Sequence, residues 1–212
     1  MKRLLLMFVL LSAAVARAGT SPSSPDKVPL IAYLGPFWGL MEFLLALFKR
    51  SKSNAVSKDR HSLGIIWLVY LAAIALAVGA SLRLPSFAVP QTLRFRPVGV
   101  GLFLGGMALR GYAIIYLGRF FTTNVAIAAD HRVIDAGPYR WIRHPSYTGG
   151  LLIIFGYGLC FNNWASLTII FVPCCAVTLW RIHIEEEALT SALGQAYGDY
   201  RRKTKRLIPW VY

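Results

Sequence analysis

Five apolar segments separated by polar stretches organise this chain. Three of them, roughly residues 28–48, 63–84 and 97–118, reach the length of about twenty residues that a membrane-spanning helix needs. The other two, residues 149–161 and 164–180, are separated only by Asn162 and Asn163, and such a short polar turn predicts an antiparallel helical hairpin. The pattern therefore predicts an all-α polytopic membrane protein with about five transmembrane helices, of which the last two form the hairpin.

Composition supports this class. Hydrophobic residues make up 56% of the 212 residues and charged residues only 15%, which excludes a typical soluble domain. The net charge of +14 would suit a nucleic-acid partner, but the basic residues cluster between the apolar segments, so we expect no nucleic acid. The three cysteines lie within apolar segments without CxxC spacing, so neither a disulfide framework nor a metal site is indicated.

The N-terminus resembles a secretory signal. Lys2 and Arg3 precede an apolar run of residues 4–15, and Ala16-Arg17-Ala18 has the small-x-small pattern of a signal-peptidase site. Residues 1–18 are therefore predicted to be a cleaved signal peptide, with an uncleaved signal anchor as the alternative. Residues 19–118 would then hold the first three transmembrane helices, and residues 119–212 the catalytic region.

The distribution of Lys and Arg predicts the orientation. If the five segments alternate, fifteen of these residues fall on one side, in the 49–61 loop, the 119–147 loop and the C-terminal tail, against four on the other side. The positive-inside rule places the basic side in the cytoplasm. We therefore expect a multi-pass protein whose candidate active site faces the cytoplasm.

Two charged residues lie inside the apolar segments. Arg110 needs a partner or a polar cavity at this depth, and Glu42 in the first segment is one candidate.

The third segment also carries five glycines, which we interpret as positions where a neighbouring helix approaches closely. They are Gly99, Gly101, Gly105, Gly106 and Gly111.

The polar stretch of residues 137–150 is the main candidate for function. Its Pro and Gly residues predict a non-helical backbone, and the hairpin brings it to the same membrane face as residues 181–187. There Arg181 and Glu185 share a helix face, being four residues apart. The three carboxylates of residues 185–187 form either a solvated face or a cluster neutralised by Arg140 and Arg143.

Together these motifs resemble the isoprenylcysteine carboxyl methyltransferase family. The resemblance covers about residues 121–212, in order and spacing. It rests on Gly137-Pro138-Tyr139, Arg143-His144-Pro145-Ser146-Tyr147, the hairpin, Arg181, Glu185-Glu186, Leu189, Leu193-Gly194, Tyr197, Tyr200 and Ile208-Pro209. Members of this family are integral membrane enzymes that use S-adenosylmethionine to methyl-esterify the carboxylate of a prenylated cysteine.

The resemblance also implies site residues. Arg181 matches the position that engages the substrate carboxylate, and Arg181 and Glu185 are the catalytic candidates. Asn124 stands where the family commonly has Gln, which shortens that contact. The implied cofactor-binding residues are Asn124, His131, Arg132, Val133, Ile134, Tyr139, His144, Pro145, Ser146, Tyr147 and Glu185. The implied partners are membrane lipids and a lipophilic, prenylcysteine-like substrate that enters from the bilayer.

The implied reaction transfers a methyl group from a sulfonium to a carboxylate by in-line displacement. The positive charge of the sulfonium and the negative charge of the carboxylate are both neutralised. Such a reaction benefits from desolvation and alignment of the nucleophile. Arg181 would hold the carboxylate in a bidentate fork, and Glu185 would attract the cationic cofactor. A carboxylate is already ionised near neutral pH, so no general base is required and His144 is expected to form hydrogen bonds only.

Two alternatives remain open. The Arg-His-Pro-x-Tyr motif and the basic tail are also similar to those of membrane sterol reductases, which bind NADPH. Those enzymes would call for a longer chain and more basic residues for the phosphates. A non-catalytic scaffold or small transporter would bind no cofactor, but transport is disfavoured because the polar residues cluster at one face and not at the membrane midplane.

Overall fold

The computed structural model describes residues 31–48, 56–57, 62–90, 93, 95–121, 126–127 and 133–212. Within these ranges the chain is almost wholly helical. The elements are α1 (Ile31–Phe48), β1 (Val56–Ser57), α2 (Ser62–Arg83), α3 (Phe95–Leu117), β2 (Ala126–Ile127), α4 (Pro145–Cys160), α5 (Trp164–Leu193) and α6 (Gln195–Lys203), with short 3-10 helices at Pro85–Phe87, Gly118–Phe120 and Gly137–Arg140. The predicted signal peptide of residues 1–18 lies outside the described residues.

The helices α1 to α4 coincide with the first four predicted apolar segments to within four residues at each end, and α5 begins where the fifth segment begins. Among the described residues, three helices are long and apolar enough to cross a membrane, judged by length and composition: Ser62–Arg83, Phe95–Leu117 and Trp164–Leu193. The prediction of an all-α chain needs one small correction, because β1 and β2 form a two-residue antiparallel pair with Val56 opposite Ile127.

Glycine pairs hold α3 and α4 in close antiparallel contact. A Cβ atom on Gly106 would lie 2.6 Å from the carbonyl oxygen of Gly149, and one on Gly99 would lie 2.7 Å from that of Gly156. Any larger residue at these positions would therefore push the two helices apart. The predicted packing role is confirmed for these two glycines of α3, whereas Gly101, Gly105 and Gly111 have no atom within 4 Å of such a Cβ.

The predicted hairpin is confirmed, and its turn is fixed by both asparagines. Asn162 adopts a left-handed backbone with φ 53°, a conformation that Asn tolerates better than most residues. Its side chain donates to the carbonyl oxygen of Val89 at 3.0 Å. Asn163 caps α5 by accepting a hydrogen bond from the backbone N–H of Ser166 at 3.0 Å, as favourable N-cap residues do.

The second arm of the hairpin is much longer than predicted. The apolar segment ends near residue 180, but α5 continues to Leu193 and ends where Gly194 takes a positive φ. Residues 181–193 contain neither Gly nor Pro, so nothing breaks the helix before that glycine. At 1.5 Å per residue, 30 residues span about 45 Å, well beyond a hydrocarbon core of about 30 Å. Helix α5 is therefore longer than one crossing of that core requires.

The prediction of a non-helical backbone throughout residues 137–150 is wrong for its second half. Helix α4 begins at Pro145, because proline is well suited to the first helical position, where its missing N–H is not needed. Gly149 and Gly150 lie inside this helix, where Gly149 serves the contact with α3. Proline disfavours a helical backbone for the residue before it, and His144 is accordingly non-helical with φ −125° and ψ 55°.

Candidate active site

The three consecutive carboxylates of α5 have three different environments. Successive residues of an α-helix are rotated by about 100°, so Glu185, Glu186 and Glu187 cannot share a face. Glu185 faces α4, and Glu186 is buried with 3% of its surface exposed. Glu187 is solvent-exposed and lies 3.3 Å from His183 on its own helix. Of the two interpretations left open by the sequence, the solvated face applies to Glu187 and the neutralised cluster to Glu186.

Tyr147, in the first turn of α4, links the two residues that the resemblance singled out on α5. Its hydroxyl donates to Oε2 of Glu185 at 2.8 Å, and it also forms a side-chain hydrogen bond with Arg181. Arg181 is only 2% exposed, so its guanidinium is held by the protein and not by bulk water. The structure therefore brings Tyr147 next to Arg181 and Glu185, which lie more than thirty positions further along the sequence.

A second cluster surrounds Glu186. Nε of Arg143 donates to Oε1 of Glu186 at 2.8 Å, and Nε of Arg206 donates to Oε2 at 3.0 Å. His144 places Nε2 3.3 Å from Oε1, and Arg201 lies at the edge of the cluster, 4.0 Å from Oε2. Charge-assisted bonds of this kind are stronger than neutral ones, so this carboxylate ties α4 and α5 to the tail.

The C-terminal tail returns along α5 and pairs with the segment before α4. The backbone N–H of Arg143 donates to the carbonyl of Lys205 at 2.7 Å, and that of His144 donates to the carbonyl of Arg206 at 3.0 Å. The guanidinium of Arg143 also donates to the backbone carbonyls of Arg201 and Thr204 near the end of α6, where orphan helix carbonyls need donors. The tail thus fixes the backbone immediately before Tyr147.

Of the two arginines predicted to neutralise the carboxylates, only Arg143 does so. Arg140 instead lies with its guanidinium carbon 5.4 Å from the ring centroid of Trp141, and its side chain is exposed. Arg140 is the last residue of the 3-10 helix and lies before the residues that pair with the tail, whereas Arg143 is one of those residues. The prediction for Arg140 is therefore wrong.

The other cofactor-binding residues implied by the resemblance differ in burial and in hydrogen-bond partners. Tyr139 is buried and donates its hydroxyl to the carbonyl of Ala113 at 3.2 Å. Ser146 receives bonds from Arg110, and Pro145 starts α4. Val133 and Ile134 are half-buried in the segment before the 3-10 helix. Asn124, His131 and Arg132 lie outside the described residues.

Tyr197 on α6 is a candidate that the sequence did not single out for a site role. Its hydroxyl is buried and has no hydrogen-bond partner among the described residues. Burial, followed by the negative charges of Glu186 and Glu185, raises the pKa of Tyr197 above its usual range, so the hydroxyl stays a neutral donor. Buried hydroxyls nearly always have a partner. An unsatisfied donor beside these carboxylates therefore fits a site that takes a polar ligand.

A cleft of about 610 Å³ lies against α5, and Glu186 and Glu187 are among the residues that line it. Arg201 and Arg206 of the tail complete its wall, together with Thr190 and Ser191. Its lining includes none of the implied cofactor-binding residues that lie in the described part of the chain. The cleft is thus distinct from the contact between Tyr147 and Glu185.

Comparison with known proteins adds to this geometry. The model of the isoprenylcysteine carboxyl methyltransferase family matches residues 99–191. The protein-S-isoprenylcysteine O-methyltransferase of Schizosaccharomyces pombe is 29% identical over 198 residues, which cover 85% of this chain and 82% of that protein. A protein of the same name from Tribolium castaneum is 31% identical over 121 residues, covering 54% of this chain and 41% of its own. The B form from Arabidopsis thaliana is 33% identical over 120 residues, covering 53% and 58%. The chain thus matches about half of the beetle and plant proteins and most of the yeast one.

The fold agrees with these sequence matches. The solved structure of the eukaryotic intramembrane Ras methyltransferase, an isoprenylcysteine carboxyl methyltransferase, superposes with a TM-score of 0.66 at 21% identity. The match covers 98% of this chain and 74% of that one, so the helical arrangement is shared along almost the whole sequence. The family-model match, the relative aligned over most of the chain and the shared helical arrangement agree, so the chain is similar to isoprenylcysteine carboxyl methyltransferases in both sequence and fold.

Proposed function

We propose that this protein is a membrane methyltransferase that uses S-adenosylmethionine to methyl-esterify the carboxylate of an isoprenylcysteine or a similar lipophilic acceptor. Its relatives are named for this activity. The observation that carries the proposal is the juxtaposition of Tyr147, Glu185 and the buried Arg181 beside the apolar part of α5. A cation, an anion and a hydroxyl meet there at the edge of the apolar layer.

Arg181 would bind the acceptor carboxylate. Its guanidinium offers a planar fork that matches a carboxylate, and its burial strips water from the bound anion, which strengthens the interaction. The fork also fixes the direction of the attacking oxygen. Because Arg181 lies just beyond the apolar segment that ends near residue 180, a lipid-borne acid can reach it while its hydrocarbon chain stays among apolar side chains.

Glu185 would favour the cofactor. S-adenosylmethionine supplies a methyl group on a positively charged sulfur, and a carboxylate nearby stabilises that charge in the bound state. Tyr147 orients Glu185 through the 2.8 Å hydrogen bond, and the unsatisfied hydroxyl of Tyr197 can donate to a polar group of the ligand. His144 and Pro145 contribute through the backbone and the Glu186 cluster, which hold the first turn of α4 in place. The residues present therefore fit the cofactor.

The proposal includes the orientation of the protein. We infer five membrane spans, α1 to α5, with the site on the cytoplasmic side, because that side collects fifteen of the Lys and Arg residues against four. Helix α4 has only 16 residues, which is short for an independent span. Its close packing along α3 and the turn to α5 support it within the bundle. The active site would thus open to both the cytoplasm and the inner leaflet.

A binding measurement tests the proposed function directly. Purified protein in detergent is titrated calorimetrically with S-adenosylhomocysteine, and NADPH serves as the control. Saturable binding of S-adenosylhomocysteine alone is the expected result, followed by transfer of labelled methyl to a prenylcysteine analogue. Binding of NADPH alone, or of neither compound, would overturn the proposal.

A further inference from the structure

The C-terminal tail carries exposed aromatic and apolar side chains that the proposed chemistry does not use. Trp210 is 78% exposed, Val211 71% and Ile208 52%. Trp141, from the segment before α4, is 51% exposed, and its ring centroid lies 5.7 Å from that of Trp210. Contiguous apolar surface of this kind marks an interaction site. We propose that this aromatic patch, formed by Trp141 and residues 208–212, docks onto the headgroup layer of the bilayer and that the adjoining basic residues bind anionic lipid.

The height of the patch relative to the bundle supports a lipid partner. Arg110 of α3 donates to Ser146, and Tyr116 of α3 lies with its ring centroid 6.5 Å from that of Tyr139. These contacts align the segment 139–146 with the last two turns of α3, a distance of about 9 Å along the helix axis. Tyr112 and Tyr116 are exposed on the outside of these turns. Tyr residues on the outer surface at the end of a membrane helix are typical of the membrane–water interface.

The tail reaches the same height. Oγ1 of Thr148, in the first turn of α4, donates to the carbonyl of Leu207 at 2.8 Å. Leu207 therefore lies beside the first turn of α4, which also carries the Ser146 contact with Arg110. Residues 208–212 follow directly, and the backbone N–H groups of Leu207 and Ile208 both donate to the carbonyl of Tyr212. The tail is therefore a folded loop beside α4 at interface depth.

Trp210 is exposed and has a backbone conformation that is unfavourable for a bulky residue. Its φ is 63°, in the left-handed region that side chains other than Gly, Asn and Asp rarely adopt. A bulky residue in this conformation is strained, yet most of its indole contacts no other part of the protein. Trp is suited to the interface because its ring is apolar and its N–H is polar. A bilayer would bury the ring and leave the N–H among the headgroups.

Charge identifies which lipids the patch would prefer. Residues 199–206 contain five Lys or Arg residues and a single acidic residue, Asp199. Lys203 and Lys205 are exposed, and Arg140 lies beside Trp141 at the patch edge. Basic side chains next to inserted aromatics attract anionic headgroups over about a Debye length. The patch thus complements an anionic leaflet and not a neutral one.

Fluorescence quenching of the full-length protein in vesicles tests this inference. The signal of Trp210 is the difference between the wild-type protein and the Trp210→Phe variant, and Trp141→Phe gives a second, independent difference signal. Vesicles contain phosphatidylcholine brominated near the headgroup end of its chains, with or without phosphatidylglycerol. Acrylamide reports exposure to water in parallel. The Lys203→Gln/Lys205→Gln variant, altered only at exposed positions, isolates the charge effect.

We expect both difference signals to be quenched by the brominated lipid and protected from acrylamide. Phosphatidylglycerol should increase the lipid quenching, and the Lys203→Gln/Lys205→Gln variant should lose that increase. Quenching mainly by acrylamide would mean that the patch is exposed to water. Protection from both quenchers would mean that other parts of the protein cover it. Either result overturns the proposal that the patch docks onto the bilayer. Lipid quenching that does not change with phosphatidylglycerol overturns the proposal that the adjoining basic residues bind anionic lipid. None of these results depends on methyltransfer, so the proposed function stands or falls separately.

Discussion

Arg110 of α3 and Glu42 of α1 form a two-point ion pair inside the helical bundle. Nε of Arg110 donates to Oε1 of Glu42 at 2.6 Å, and Nη2 donates to Oε2 at 2.9 Å. The third nitrogen of the guanidinium donates to Oγ and the backbone carbonyl of Ser146 at 2.9 and 3.2 Å. The partner suggested by the sequence is thus confirmed, and one arginine connects three helices next to Tyr147.

This pair predicts strong coupling between two distant positions. We expect Glu42→Gln and Arg110→Gln each to destabilise the protein, because each leaves a largely buried charge without its counter-charge. The double variant should be more stable than the sum of the two losses by about 1–3 kcal/mol. Chemical unfolding in detergent micelles measures the free energy of unfolding of the wild type, both single variants and the double variant, which together form a double-mutant cycle. The exposed pair of Arg202 and Asp199 is the control, and equal coupling in the two pairs would contradict the buried role.

The contact between α3 and α4 predicts that two adjacent glycines respond differently. Gly106→Ala should destabilise the protein by about 1–3 kcal/mol, the usual cost of overpacking, because the new methyl group meets backbone atoms of α4. Gly105→Ala should be neutral or slightly stabilising, since open space surrounds Gly105 and Ala favours helix. Thermal unfolding of the two variants decides the matter. Similar melting temperatures would show that the helices are not held at the glycine pair.

Adjacent carboxylates on α5 give a second matched comparison. Glu186→Gln should cost about 3 kcal/mol or more, since the arginines and the histidine around it lose their buried counter-charge. Glu187→Gln should change stability by less than about 0.5 kcal/mol because its side chain is mostly in water. Limited proteolysis of the tail adds a local readout. A tail that stays protected in Glu186→Gln would show that Glu186 does not hold the tail against α5.

Arg181 and Glu185 should separate catalysis from cofactor binding. Arg181→Lys keeps the charge but removes the fork, so we expect turnover to fall by about 100-fold while affinity for S-adenosylhomocysteine is retained. Glu185→Gln should instead weaken that affinity by about tenfold, the size of one charge-assisted hydrogen bond. Calorimetry and a methyl-transfer assay on both variants measure this. Parallel losses in the two variants would remove the distinction between their roles.

The unsatisfied hydroxyl of Tyr197 predicts a ligand contact, and Tyr157 supplies the control. Both hydroxyls are buried without a hydrogen-bond partner among the described residues, but Tyr157 lies in the apolar core next to Phe103 and Phe161. We expect Tyr197→Phe to weaken binding of S-adenosylhomocysteine and Tyr157→Phe to leave it unchanged. If both variants bind as the wild type does, the hydroxyl of Tyr197 does not contact the ligand.

Much of this architecture is already present in local sequence signals. Apolar runs long enough to cross a bilayer predicted the helices, and the Asn162-Asn163 turn predicted the hairpin. The position of Arg110 inside an apolar segment predicted a partner such as Glu42. Each of these follows from short-range rules: length against bilayer thickness, chain reversal, and the cost of an unpaired charge in an apolar medium. The motif order around Tyr147 and Arg181 produced the family resemblance for the same reason, since spacing along a chain is independent of its packing.

Tertiary structure decided the rest. No local rule says which of three consecutive glutamates is buried, because that depends on where the tail returns. The tail's pairing with residues 142–144 placed Arg143 and Arg206 on Glu186 and left Arg140 over Trp141. Likewise, no local rule pairs Gly149 with Gly106 of α3, and that contact appears only once the two helices pack together. The sequence by itself determined the elements and the residues available for chemistry, whereas long-range packing determined their partners, since a contact energy exists only once both surfaces have been brought together.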